Sequence, residues 1–281
     1  MHIQFRYCPL LILMMLCLWN SSAHGNTVSP EQDVNIPYAL SPVKDISLSS
    51  IALSLTVTGL FMAYSNDDIT PAEVMNLNAD SINRFDRGAT HHWSPASAAL
   101  SNVGAIVSGT IPLLYVLQQV TTHQKRTGLT VLVMYAEAMG ITVGLTNIVK
   151  GAVRRDRPFL YNTRLSVDQR ATEIDPRTSF FSAHSSIAFC SATFFSTVFF
   201  RLHPQSRWRF AILSGTLTLA GATAMLRYTA GKHFPTDILT GVAVGTLTGF
   251  IIPAAHHSRS RAFAVYPLNG SVKGIGATIS F

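Results

Sequence analysis

Charged residues are scarce in this chain. Asp, Glu, Lys and Arg together make up 12% of its 281 residues, about half the share of an ordinary soluble domain. With long charge-free runs, that scarcity points toward membrane helices or a large all-helical core. Cysteine is also rare: Cys8, Cys17 and Cys190 are the three present. Two of them fall within the first 23 residues and no CxxC pair occurs, so a disulfide framework and a thiolate metal site are both excluded. Cys190 sits in an apolar run and reads as a small core residue. Internal repeats and low-complexity segments are missing. There is no stripe of Lys and Arg interleaved with aromatics, which argues against nucleic acid as a partner. The net charge of +7 instead suits phospholipid headgroups or phosphorylated substrates.

Long apolar runs are what the chain does contain. Residues 1–23 read as a secretory signal, with Arg6 in a positive leader, an apolar stretch from Pro9 to Trp19, and Ser21-Ser22-Ala23 for cleavage. A retained signal anchor is the alternative. Residues 24–46 read as a polar linker broken by Pro30, Pro37 and Pro42. Six apolar stretches follow: Ile46 to Tyr64, Pro95 to Val120, Gly128 to Val149, Ser185 to Phe200, Phe210 to Leu226 and Ile238 to Ile252. Most approach the ~20 residues needed to cross a bilayer. Several are rich in Thr, Ser, Gly and Ala, which suits close helix packing in lipid or in a tight soluble bundle. Glu137 lies in the third stretch, and a carboxylate there is expected to face the protein interior. The expected fold is therefore all-α, a six-helix bundle over residues 47–255, membrane-embedded. In the tail, residues 256–281, Phe263 to Tyr266 and Ile275 to Phe281 alternate about Asn269-Gly270, which predicts a short β-hairpin.

Three polar clusters interrupt the apolar pattern. The first runs Lys150-Gly-Ala-Val-Arg154-Arg155-Asp156-Arg157-Pro158. Lys150 and Arg157 are seven residues apart, two turns if helical, which would put both cations on one face until the proline ends the element. Such a pair makes an anion site, Arg as a planar fork and Lys as a point charge. The second is Ser179-Phe-Phe-Ser182-Ala183-His184-Ser185, a turn ahead of the fourth helix whose free N–H groups suit an anion. The third is Arg227-Tyr-Thr-Ala-Gly231-Lys232-His233-Phe-Pro235-Thr-Asp237. Asp237 falls four residues after His233, close enough to accept a hydrogen bond from its ring and leave the other nitrogen nucleophilic. Each cluster alone also fits ordinary helix capping. In an antiparallel bundle, however, all three meet at one end.

Taken together, Lys-x6-Arg-Pro, Ser-x-His and Arg-x5-His-x3-Asp resemble the signature of the type 2 phosphatidic acid phosphatases. That superfamily also holds the bacterial class A acid phosphatases and the vanadium haloperoxidases. The resemblance covers roughly residues 95 to 253. It departs at Phe181 and Ala183, where the family has Pro-Ser-Gly-His, and at Leu226, where the family has Ser before Arg. The resemblance implies His233 as the nucleophile that forms a phosphohistidine, Asp237 as its orienting carboxylate, and His184 as the acid and base. It implies phosphate binding by Lys150, Arg157, Arg227, Ser182 and the N–H groups of the turn at Ala183. It implies no cofactor and no metal, the fixed cations standing in for Mg²⁺. His91-His92 and His256-His257 are not read as metal sites, because neighbouring histidines do not easily share one ion. Arg154 and Arg155 are open between headgroup contact and a solvated loop. Asp86 and Arg87 precede the second helix on the same face, and Trp93 reads as an interfacial anchor. The insert from Phe159 to Phe180 is expected to overhang the site and help choose substrate.

The expected function is hydrolysis of a lipid-linked phosphate such as lipid A, polyprenyl pyrophosphate, phosphatidylglycerophosphate or phosphatidate. The partners are then an anionic phosphorylated lipid and a membrane. The alternatives are a soluble secreted acid phosphatase, a vanadium haloperoxidase, or a non-catalytic membrane protein. The expected location is the bacterial inner membrane with the site facing the periplasm. Counting six spans from an exported start gives the opposite face, and Lys and Arg are nearly balanced between the two sets of loops, so charge does not orient the bundle.

Overall fold

Proline and small polar residues set where the helices begin. In the computed structural model, which describes residues 36–64, 69–258, 263–269 and 273–279, helix α1 spans Pro42–Tyr64, starting ahead of the apolar run at Ile46. Pro42 fits a first helical turn, and the Asp45 carboxylate accepts from the Ser41 N–H at 2.6 Å, so the last part of the expected linker is helical. The signal and residues 24–35 lie outside the described residues. Helix α2, Pro95–Thr121, is capped by Ser94, whose hydroxyl oxygen accepts from the Ser97 N–H. Helix α3, Lys125–Val153, stops where Arg154 adopts a left-handed conformation (φ 47°). Helices α4 (Ala183–Leu202), α5 (Arg209–Thr229) and α6 (Pro235–Ala255) complete the bundle. The tail forms an antiparallel hairpin of β1 (Phe263–Asn269) and β2 (Lys273–Ile279). Asn269 pairs with Lys273, so it belongs to the strand, and Gly270 lies outside the described residues.

These six helices are all long and apolar enough to cross a membrane. Helix α4 is central, with 61% of its apolar window buried against 11% for α1. The other helices turn Leu53, Phe61, Ile106, Phe210, Met225 and Phe250 outward. Apolar surface on every outer helix is what a bilayer covers and water does not, and the chain is a membrane protein. The core gathers Tyr115, Met134, Phe194, Phe195 and Phe199, with the Tyr115 ring edge-on to Phe195 at 5.5 Å. Cys190 is buried within it, as its apolar context predicts.

The seam that positions the site runs between α4 and α6. Gly241, Gly245 and Gly249 recur every four residues and so lie on one helix face. A methyl group on them would come within 2.6, 2.2 and 2.4 Å of the backbone oxygens of Ser182, Ser186 and Cys190. The two backbones therefore approach as closely as small residues permit. At the top of the seam the Ser182 N–H donates to the Asp237 carbonyl at 3.1 Å, joining the two helix starts. Gly245→Val is expected to destabilise the protein by about 1–3 kcal/mol through overpacking, read from denaturant unfolding in detergent. An unchanged midpoint would show that the seam yields freely.

Candidate active site

The end of α3, the start of α4, the end of α5 and the start of α6 come together at one end of the bundle, as the antiparallel reading requires. Lys150 is buried on the last turn of α3, and its ammonium donates to the Thr178 carbonyl. Arg157 does not share a continuous helical face with Lys150, because the helix ends at Val153 and Arg157 lies in extended backbone before Pro158. The two converge through Thr178 instead: Arg157 Nη2 donates to its hydroxyl at 2.8 Å. Arg227, buried on the last turn of α5, donates to the Ser101 hydroxyl at 3.2 Å. Among the described residues none of these three cations has a carboxylate within ion-pair distance. The Nε–H groups of Arg157 and Arg227 are buried with no acceptor. Unanswered buried donors of this kind are uncommon in proteins and require an explanation.

His233 lies between α5 and α6 and is 1% exposed. Its Nδ1 is 2.7 Å from the Ser179 carbonyl oxygen. A carbonyl only accepts, so Nδ1 carries the proton and Nε2 keeps the lone pair. Asp237 does not take the direct hydrogen bond expected from the His-x3-Asp spacing. Its Oδ2 is 3.8 Å from Nδ1 and instead accepts from the Ser179 hydroxyl at 2.5 Å and the Phe234 N–H at 2.8 Å. Asp237 therefore holds Ser179, whose carbonyl accepts from the ring, and the backbone of Phe234, the residue after His233, with no hydrogen bond to the ring itself. Burial, followed by the charges of Arg227, Lys150 and Arg157, holds the His233 imidazole well below its ordinary pKa. It is neutral at pH 7.

His184 occupies the first turn of α4, with Nε2 2.7 Å from Asn102 Oδ1 on α2. Adjacent residues of α2, Ser101 and Asn102, thus reach Arg227 and His184 respectively. Neither was singled out by the sequence, since a lone Ser-Asn pair in an apolar helix has no local signature. Ser182 caps α4: its hydroxyl oxygen accepts from the Ser185 N–H and hydroxyl at 3.3 and 2.9 Å, leaving its own hydrogen for another acceptor. Its N–H is already used by Asp237, so the backbone donors left at this helix start are those of Ala183 and His184.

Residues 131–261, which contain all three polar clusters, match the family model of the PAP2 superfamily. A solved structure, described as the first transmembrane PAP2 type phosphatidylglycerolphosphate phosphatase from Bacillus subtilis, is similar at 19% identity. The match covers 73% of this chain and 94% of that one, with a TM-score of 0.45. No curated protein matches.

Around the three polar clusters the structure adds an ionic bridge. Arg155, left open between headgroup contact and solvated loop, turns inward. It donates to Asp86 at 2.7 Å, to the Thr236 hydroxyl at 2.8 Å and to Asp237, with its guanidinium 4.1 Å over the Phe234 ring. Asp86 is fully buried and also accepts from the Thr236 N–H and hydroxyl and from Asn83. Burial pushes its carboxyl up, but these donors outweigh burial and hold it below the ordinary value. Trp93 packs edge-on to Phe159 at 5.5 Å, beside Lys232, which is paired with Glu173 of the insert. Arg87 is spent on the carbonyls of Asp80 and Ile82.

Removing Arg155 would strand two buried carboxylates. Arg155→Met is expected to destabilise the protein by about 3–5 kcal/mol, with Asp86→Asn in the same chain recovering part of the loss. Unfolding midpoints of the two single variants and the double variant in detergent measure this. Simple additivity would show that the two groups are not coupled.

Proposed function

We propose that this protein is a phosphatase of the PAP2 superfamily and hydrolyses a phosphate ester carried by a membrane lipid, through a phosphohistidine at His233. The observation that carries the reading is the set of three buried cations without counter-ions around one neutral imidazole. Burying like charges together is unfavourable unless an anion joins them, and a phosphoryl group supplies that charge and the acceptors missing at Arg157 and Arg227.

His233 Nε2 attacks phosphorus, the P–N bond forms and the ester P–O bond breaks. His184 gives the leaving oxygen its proton, then takes one from the water that cleaves the P–N bond. With Nε2–H donated to Asn102, the proton in transit is carried on Nδ1. Lys150, Arg157 and Arg227, with the Ser182 hydroxyl and the N–H groups of Ala183 and His184, stabilise the charge on the transferring phosphoryl oxygens. This fixed field acts where a metal ion acts in other phosphoryl-transfer enzymes. Asp237 holds Ser179 and Phe234, and through them the ring. The lipid assignment rests on the apolar outer faces of the helices. The signal-like leader and the family resemblance support a place in the bacterial inner membrane with the site toward the periplasm.

A panel of phosphatidate, phosphatidylglycerophosphate, polyprenyl pyrophosphate and lipid A in detergent, without added divalent ion, is expected to give phosphate release by the wild type. His233→Ala should reduce it to background, and Arg227→Ala by on the order of 10²–10³-fold. Turnover of small water-soluble phosphomonoesters with none of the lipids would contradict the lipid reading. Release that survives His233→Ala would contradict the mechanism.

The lowered proton affinity of His233 sets the acid side of the pH profile. The nucleophile is lost only as pH falls through its depressed pKa. After correction for substrate ionisation, kcat/KM should therefore stay level through pH 6.5 and decline at lower pH. A decline centred on the ordinary histidine value would place His233 in a more solvated setting than the one described.

A further inference from the structure

A second buried polar cluster lies at the other end of the bundle, where α6 ends and α1 begins. His256 follows the last turn of α6. Its Nε2 is 2.9 Å from Asp45 Oδ1 of α1 and 3.3 Å from Glu137 Oε2 of α3. Glu137 is 1% exposed, so it faces inward as an intramembrane carboxylate should. The three inward atoms lie within 4.8 Å of one another.

The outer atoms of the same three side chains are each held by a separate hydrogen bond. His256 Nδ1 is 2.8 Å from the Ile252 carbonyl oxygen, which fixes the proton on Nδ1 and aims the Nε2 lone pair inward. Glu137 Oε1 accepts from the Ser49 hydroxyl at 3.2 Å. Asp45 Oδ2 accepts from the Ser41 N–H at 2.6 Å. One nitrogen and two carboxylate oxygens therefore face each other, with their other ends tied down. A proton on Nε2 can serve Asp45, but Glu137 Oε2 is still left buried without a hydrogen-bond donor. Lys44 does not resolve this, because its ammonium is 3.9 Å from Asp45 Oδ1 and donates to the carbonyls of Ala39 and Ala255.

We propose that Asp45, Glu137 and His256 bind one divalent transition-metal ion of the zinc type, which ties α1 to α3 and α6 at the end of the bundle opposite the phosphate cage. One imidazole nitrogen with two carboxylates is a donor set that zinc accepts, at bond lengths of about 2.0–2.2 Å. Outer hydrogen bonds to each ligand are the usual companions of such a site. Two carboxylates also neutralise a divalent ion. The side chain of Asp45 is 13% exposed, which leaves a path for the ion and room for water to complete the coordination. The role is structural. Helix α1 buries the smallest share of its apolar window among the six, so a metal tie at its first turn fastens the helix that packing holds least. His256 acts here without His257, whose Nδ1 faces the Pro37 carbonyl at 2.9 Å.

The test uses the untagged full chain in detergent, stripped with chelator, equilibrated with Zn²⁺ and freed of excess. Elemental analysis is expected to find about one zinc per chain, and thermal unfolding to rise when zinc is added. His256→Gln and Glu137→Gln should lose the bound zinc and the thermal shift. His257→Gln and His233→Ala should keep both, so the outcome does not depend on the phosphatase reading. No zinc above the detergent blank, or equal zinc in His256→Gln, would overturn the site. If a variant does not fold, Co²⁺ titration of the wild type decides: visible ligand-field bands saturating at one equivalent support the site, and their absence rejects it.

Discussion

Like charges do not gather in a protein interior without a reason. Lys150, Arg157 and Arg227 lie buried at one end of the helix bundle, each bonded to a neutral oxygen of Thr178 or Ser101 instead of to a carboxylate. Their repulsion is held in check by the covalent and packing constraints at the ends of α3 and α5. In the proposed function, that stored field is what an arriving phosphoryl group relieves. It also sets the state of His233, because the same charges, added to burial, keep the ring unprotonated and its Nε2 lone pair available.

Holding cations close demands a stiff frame, and two devices provide it. The glycine face of α6 against α4 lets backbone meet backbone, so the Ser182 N–H and the Asp237 carbonyl are joined by a main-chain bond. Arg155 then binds Asp86 and Asp237 together and lies over Phe234. Asp237 thereby serves as the centre of the scaffold around the imidazole, and its contact with the ring is indirect. The insert contributes by placing Thr178 and Ser179, whose oxygens are shared among Lys150, Arg157, His233 and Asp237.

Much of this was legible in the residues. Apolar runs with polar breaks give six helices, because a long run can satisfy its backbone in lipid only as helix. The motif residues meet because antiparallel helices alternate their ends. Glu137 is inward for the reason that any carboxylate in such a run must be. The finer contacts were not legible. The His233-to-Asp237 spacing allows a direct bond, and the competing Ser179 carbonyl comes from 54 residues away, which no local pattern reveals. Asp86, Ser101, Asn102 and Arg155 took their roles from tertiary neighbours alone. The Lys150–Arg157 pairing was expected for the wrong local reason: a left-handed residue at Arg154 breaks the helix, and Thr178 restores the convergence.

The most direct measurement is a structure of the protein with orthovanadate, which takes up the five-coordinate geometry of a transferring phosphoryl group. The account predicts vanadium bonded to His233 Nε2, its equatorial oxygens contacted by Lys150, Arg157 and Arg227, and an apical oxygen within hydrogen-bonding reach of His184. Vanadate bound elsewhere, or bound in this pocket with His233 Nε2 turned away from it, would contradict the account.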